Sequence, residues 1–455
     1  MSSQGDMDAA SISGSEGEGW LTVVDEKGTK VSVAYERVIA ILSDKASSAN
    51  TESSIRTVLC VKPDKDGLEA LTSGALDQLK VSLQPTEQCH WYRDGAVEGV
   101  ERHVVVSTGS GTGTASTVWQ NLVQPLLARL SVRENEHYHL NFTTSGGSVA
   151  EFARMVLLPK ANQGVALAVL LLSGDGGIVD IVNSLLSEDR SAAYENPTMS
   201  LLPLGTGNAL AHSSGITGDA TLGLRAMLQG TPKALPLFRA TFSPGTKLLV
   251  NEGQQEQHLH SIVGGNPVAH GAVVCSWGHH ASLVADSDTT DYRKFGSKRF
   301  QMAAKEALFP ADGSPPHAYK GRVSVRRPGQ AGWEDIPPSK HGYVLATFAS
   351  QLEAGFTISP QSKPLDGKLR LIHFGDLGGQ EAMDVMTKAF QGGKHVEDDR
   401  VRYEVIDRLS IEFQEEDARW RRVCIDGKII RVEKGGWVEV STDVDSVVDL
   451  VCTES

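Results

Sequence analysis

From residue 101 onward one order recurs: a β-branched apolar stretch, a loop of glycine, serine and threonine, then a segment with helical spacing. HVVVS is followed by GSGTG and ASTVWQNLVQPLLARL, and HLNFTT by SVAEFARMVLL. LLLSGDGG leads into IVDIVNSLL, and the stretch from Met199 to Leu204 leads through Gly205-Thr206-Gly207-Asn208 into a helix at Ala209. Strands alternating with helices at this spacing predict a parallel sheet with helices on both faces. The ligand of such a sheet is expected beyond the carboxyl ends of the strands, where all four loops converge.

The third loop, Ser173-Gly174-Asp175-Gly176-Gly177, is the most informative. Its glycines let backbone N–H groups approach an anion without Cβ interference, and the following helix aims its positive end into the same space. A carboxylate among phosphate-binding amides repels the ligand unless it holds a metal or takes a proton. Asp175 therefore points to phosphoryl transfer rather than phosphate binding alone. Taken by itself, Gly-Asp-Gly is also an ordinary βα turn with an acidic helix cap.

At 455 residues the chain is expected to form about two to three domains. Residues 1–19 are small, polar and acidic and read as a disordered tail; 20–100 alternate like a few antiparallel strands without recognisable chemistry. Residues 101–232 hold the strand–loop–helix units, and 233–455 turn β-rich, as in a sandwich. The balance of 43 Lys+Arg against 56 Asp+Glu, a net charge of −13, disfavours nucleic acid as a partner. Against that background, 293–327 carry nine cations (Arg293, Lys294, Lys298, Arg299, Lys305, Lys320, Arg322, Arg326, Arg327) and two acids, Glu306 and Asp312. A phosphate or an anionic lipid head accounts for such a reversal, as does a solvated cationic face. Five scattered cysteines without metal-ligand spacing read as free thiols in a reducing compartment. The longest apolar run, 165–172, is too short to cross a bilayer, so a soluble protein is expected. The ending Cys452-Thr453-Glu454-Ser455 fits a prenylation box only formally, because Thr453 and Glu454 are not aliphatic.

Four segments, VVVSTGSGTGTAS, SGDGGIVDIVNSLL, LLPLGTGNALA and SWGHHASLVADSDTTDYRKFGSKRF, together resemble the diacylglycerol kinase catalytic-domain family, and within it the sphingosine or long-chain-base kinase branch. The likeness runs from about residue 104 to about 438. It implies an N-terminal α/β nucleotide-binding domain with a parallel sheet, followed by a β-sandwich-like lipid-binding domain. It also implies an ATP- and Mg²⁺-dependent lipid kinase that phosphorylates the primary hydroxyl of a sphingoid base at a membrane surface, from the cytoplasm and without a transmembrane segment. Diacylglycerol or ceramide as substrate, or a lipid-binding protein on an inactive kinase scaffold, are the alternatives. NAD kinase also uses a Gly-Asp-Gly loop but is disfavoured by the 204–208 loop and the Tyr-Arg, Arg-Phe segment.

By the same resemblance, Asp175 takes the substrate proton or organises the metal. Nucleotide contacts fall on Gly109, Ser110, Gly111, Gly113, Thr144, Gly174, Gly176, Gly177, Gly205, Thr206, Gly207, Asn208, Arg293, Arg299 and Asp426, with Asp426 also a metal ligand. Asp180, Ser282, Asp286 and Asp288 are substrate-side candidates: Ser282 stands where sphingosine kinases carry an Asp for the substrate, and the carboxylate that a sphingoid ammonium calls for is Asp286 or Asp288 if the alignment slips. Departures from the family are Ser107-Thr108 and Thr112 in the first loop and Lys428 in place of a glutamate after Asp426-Gly427. Lys428 is expected to touch phosphate, making good the cation missing at Thr112.

Overall fold

The computed structural model describes residues 12–13, 20–24, 29–43, 56–62, 67–73, 89–91, 99–111, 113–259, 261–296 and 298–453. Most of the expected tail, and Thr112, lie outside these residues.

The first lobe contains β1 (Glu101–Val106), β2 (His139–Phe142), β3 (Leu167–Ser173), α1 (Asp175–Leu185), β4 (Thr198–Pro203), α2 (Ala209–Ser213) and β5 (Thr231–Ala234). The second contributes β6 (Val274–Gly278), α3 (His279–Ser287), α4 (Lys298–Leu308), β7 (Lys340–Thr347), β8 (Arg370–Gly375), α5 (Gly379–Thr387), β9 (Arg422–Ile425) and β10 (Lys428–Arg431) to the argument below. A last strand, β11 (Asp449–Cys452), ends the described chain.

The first sheet runs β5-β11-β4-β3-β1-β2. β1 through β4 are parallel to their neighbours, as the alternation of strands and helices predicts. β3 is central and buried along its whole length, whereas β2 at the edge is not. That difference follows from covering both faces of a central parallel strand, which requires a continuous apolar run. Alternate side chains of β3 then serve opposite cores. Val169 and Leu171 pack with Ile178, Ile181, Val182 and Leu185 of α1. Leu170 and Leu172 join Trp119, Leu122 and Leu126 of the helical segment 115–129. Each such buried aliphatic side chain contributes about 1.5–3 kcal/mol.

Strands Val38–Ser43 and Arg56–Val61 lie on the outer helical face of this lobe. Ile39, Ala40, Leu59 and Val61 share a core with Trp119 and Leu122, and the Arg225 guanidinium donates to the Val38 carbonyl at 2.8 Å.

The chain divides less simply than at 232. After building the second lobe it returns, and β11 inserts between β4, to which it is parallel, and β5, to which it is antiparallel. Cys452 is thereby fully buried within the first sheet. None of the five cysteines is in a disulfide, and all five are buried.

The second lobe is antiparallel, and its 15 strands are hydrogen-bonded into one sheet rather than the two of a simple sandwich. The sheet folds over, so Phe238 and Val440 from one part pack in the same core as Trp277, Val344 and Leu371 from another. The cationic excess read in 293–327 is offset by acids from elsewhere in the chain: Arg322 pairs with Asp335 and Glu412, and Arg327 with Glu334 and Glu404. Among the described residues no helix is long and apolar enough to cross a membrane.

Candidate active site

Three of the four loops interlock at the carboxyl end of the parallel strands. The Gly174 N–H donates to Ser110 Oγ at 2.9 Å, tying the Asp175 loop to the first loop. Gly111 has φ of +55°, and a Cβ there lies 2.2 Å from the Leu204 carbonyl oxygen. Gly174 and Gly205 approach so closely that a Cβ on either lies within 2.7 Å of the other's Cα. These glycines are required by contact between loops as much as by any ligand. Asn208, at φ +55°, makes no side-chain cap on α2. Its amide closes the loop instead: Oδ1 accepts from Gly205 N–H at 2.9 Å, and Nδ2 donates to the carbonyls of Pro203 and Gly205 at 3.1 and 2.9 Å.

Asp175 stands where two helices begin. It is the first residue of α1, and its Oδ2 accepts the Leu210 N–H of α2 at 3.2 Å. Oδ1 is buried and, among the described residues, has no hydrogen-bond partner. Burial pushes its pKa up to about 7, with the nearby Asp426 carboxylate adding to the rise and the amides of α2 opposing it. A carboxylate poised near neutrality with one open oxygen suits a general base.

Asp426 comes from the second lobe. At φ +47° it turns both oxygens onto a run of amides: Ala272 N–H at 2.6 Å, Val273 at 3.1 and 3.3 Å, and Val274 at 2.6 Å. Burial raises its pKa to about 6 against those hydrogen bonds. With both oxygens so occupied, Asp426 does not fit as a direct metal ligand, and no group of three or more potential ligands exists among the described residues. Mg²⁺ usually arrives with substrate phosphates and needs only one or two carboxylates. Asp175 Oδ1 fits either that smaller role or proton acceptance, one at a time.

The two lobes enclose a cavity of about 630 Å³. Ser110, Gly111, Gly174, Asp175, Gly176 and Asp426 line its polar end, together with the 205–208 loop. The rest is mostly apolar, walled by Leu283 of α3, Phe300 and Ala304 of α4, Met383 and Met386 of α5, and Phe390. Arg299 and Asp288 also line it, 3.3 Å apart. His279 and His280, the first two residues of α3, line it too. Burial lowers the pKa of each to about 4, so both are neutral at pH 7.

Several predicted residues are engaged elsewhere. Gly109, Gly113 and Thr144 do not line the cavity; it is Thr143 that holds the first loop, its Oγ1 accepting the Thr108 N–H at 2.9 Å. Gly177 is not a cavity residue either, because a Cβ there meets Ser173 Oγ at 2.6 Å, making it a packing glycine between α1 and β3. Asp180 pairs with Lys428 at 2.6 Å, so Lys428 is held by a carboxylate rather than reaching into the cavity. Ser282 is buried and accepts from the Tyr319 hydroxyl at 2.7 Å. Asp286 is bound by Arg422 at 2.8 Å and Arg419 at 3.1 Å. The Arg293 side chain lies outside the described residues. Sequence reasoning missed Glu353, which lines the cavity from the strand Gln351–Glu353; no motif marked it.

Residues 101–240 match the diacylglycerol kinase catalytic domain. The chain is a lipid kinase. It is 26% identical over 327 residues to sphingosine kinase 1 of Homo sapiens, covering 65% of this chain and 77% of that protein. To sphingosine kinase 1 of Caenorhabditis elegans it is 33% identical over 108 residues, 24% of this chain and 21% of that protein. A putative diacylglycerol kinase from Bacillus anthracis str. Sterne shares the fold, with a TM-score of 0.50 at 17% identity over 78% of this chain and 97% of that one. The domain match extends past 232 into the first strand of the second lobe, Phe238–Phe242.

Proposed function

We propose that this lipid kinase transfers the γ-phosphoryl group of ATP to the primary hydroxyl of a sphingoid long-chain base. The observation that carries the reading is the order along one cavity, in which a carboxylate with a buried open oxygen, Asp175 Oδ1, shares its space with a mostly apolar chamber. A lipid chain in the chamber leaves its hydroxyl toward Asp175, which accepts the proton as the oxygen attacks phosphorus. The interlocked glycine loops offer amide N–H groups to the nucleotide phosphates, and Arg299 offers a cation. Mg²⁺ borne by the nucleotide would neutralise phosphate charge, held by the phosphate oxygens while Asp175 Oδ1 takes the proton. Curated relatives bearing the name sphingosine kinase support the substrate class.

Membrane presentation is part of the same reading. Phe295, Met302 and Phe309, on and beside α4, and the cavity-lining Phe390 are exposed large apolar residues, with Lys298 and Lys305 exposed on the same helix. Apolar side chains ringed by lysines suit shallow contact with an anionic lipid surface from the cytoplasmic side. A neutral substrate such as diacylglycerol or ceramide is the second reading, favoured by the engagement of Ser282 and Asp286 described above. Phosphate transfer from radiolabelled ATP to sphinganine, sphingosine, diacylglycerol and ceramide in mixed micelles tests both. Strong labelling of the free bases is expected, and labelling confined to the neutral lipids overturns the first reading.

A further inference from the structure

We propose that Glu353 is the carboxylate that receives the ammonium group of the lipid substrate, an inference that rests on the sphingoid-base reading. Among the described residues four acids line the cavity: Asp175, Asp288, Glu353 and Asp426. Asp175 faces the reacting hydroxyl, Asp426 is saturated by three amides, and Asp288 faces the Arg299 guanidinium. Glu353 is half-buried and makes no hydrogen bond or ion pair with the described residues. A carboxylate withdrawn from water without a partner is costly, and a ligand cation relieves that cost. Burial already raises its pKa.

Its position fits the chemistry. Ser213, at the end of α2, donates from Oγ to the Gln351 carbonyl at 3.2 Å and accepts the N–H groups of Ser350 and Gln351 at 2.9 and 3.1 Å. The short helix that donates Leu210 N–H to Asp175 therefore also anchors the strand carrying Glu353. On one side the Leu352 carbonyl lies 3.5 Å from where a Gly207 Cβ would stand. Across the hairpin, Glu353 pairs with Phe356, whose ring packs against Phe390 at 4.8 Å between centroids. Glu353 thus sits at the seam between the glycine loop and the apolar wall. A sphingoid base presents hydroxyl, ammonium and aliphatic chain in that same order.

Glu353→Gln keeps the shape and removes the charge. Purified wild type and variant are compared for kcat/KM on sphinganine, on N-acyl-sphinganine and on diacylglycerol, with ATP KM and melting measured alongside. The expected result is a loss of about 10- to 100-fold on sphinganine against at most about threefold on the two neutral lipids, with ATP KM and melting held and Glu353→Asp recovering part of the base activity. Equal losses on charged and neutral lipids, or no loss on sphinganine, overturn the Glu353 assignment while leaving the sphingoid-base reading intact. A wild-type enzyme that phosphorylates no free base overturns that reading as well.

Discussion

Lys428 Nζ donates to Asp180 Oδ1 across 2.6 Å, joining the helix that follows the Asp175 loop to a strand of the second lobe. The pair is partly exposed, at 37% and 23% for the two side chains, so its worth is that of a modest surface bridge, roughly 0.5–1 kcal/mol. Its position matters more than its strength, because it is a charge contact between the two lobes beside the cleft. The ammonium that stands in place of the family glutamate has its own acidic partner in this chain.

Lys428→Glu is therefore expected to set two carboxylates against each other, lowering the melting temperature by a few degrees while leaving ATP KM within about twofold. The charge-swapped double variant, Lys428→Glu with Asp180→Lys, restores the melting temperature. A double-mutant cycle by calorimetry measures the coupling. A large rise in ATP KM in the single variant shows instead that Lys428 serves the nucleotide.

Asp175→Asn removes the proposed proton acceptor and is expected to lower kcat by about 10²-fold or more. It also changes stability with a defined sign. Asp175 titrates near 3.8 when unfolded and at about 7 in the folded protein, so the native state binds the extra proton between these values. The stability this lends is complete below the unfolded pKa and is lost as pH rises through the folded one. The Asn variant is spared that loss. Melting curves should show it gaining on wild type more at about pH 8 than at about pH 5, and equal differences at the two pH values contradict the raised pKa.

In the wild type, the same titration shapes the rate. Below about pH 7 kcat/KM should fall about tenfold per pH unit as Asp175 takes up a proton, then level off above it. A profile flat between about pH 5 and 8 removes Asp175 as the base.

Gly174→Ala places a Cβ 2.7 Å from the Gly205 Cα, with backbone on both sides and nothing flexible to yield. The two loops must separate, and a misplacement of this size costs on the order of 10² in rate. Gly176→Ala meets nothing within 4 Å and serves as the control for chain stiffness. The expected contrast is a near-inactive Gly174 variant beside a Gly176 variant that still folds and turns over.

Ala304 lines the apolar chamber from α4. Ala304→Phe fills part of it, so kcat/KM should drop by about tenfold or more for an 18-carbon base and far less for a 10-carbon one. Equal effects on the two chain lengths place the aliphatic tail elsewhere.

The alternation of strand, glycine loop and helix determined the parallel sheet, because a strand buried on both faces needs the unbroken apolar run of Leu167–Ser173 and a helix to cross back. The place of the Asp175 loop was legible for a similar reason: glycine, acid and helix start are local features of the sequence. Long-range pairings were not legible. Whether Asp286 meets a substrate or Arg422 depends on a helix and a strand whose residues are 136 apart, and whether Lys428 meets phosphate or Asp180 depends on how two lobes close. Charge at a position is a property of the residue, but its partner is a property of the packing. The return of Asp449–Cys452 to the first sheet belongs to the same class, since a short apolar strand carries no label for the edge it joins. Glu353 lay in no motif at all. Sequence by itself determined the parallel sheet and the place of the Asp175 loop at its carboxyl end; only the tertiary structure decided which carboxylates remain available in the cleft, because ion pairs and amide hydrogen bonds from distant segments occupy the others.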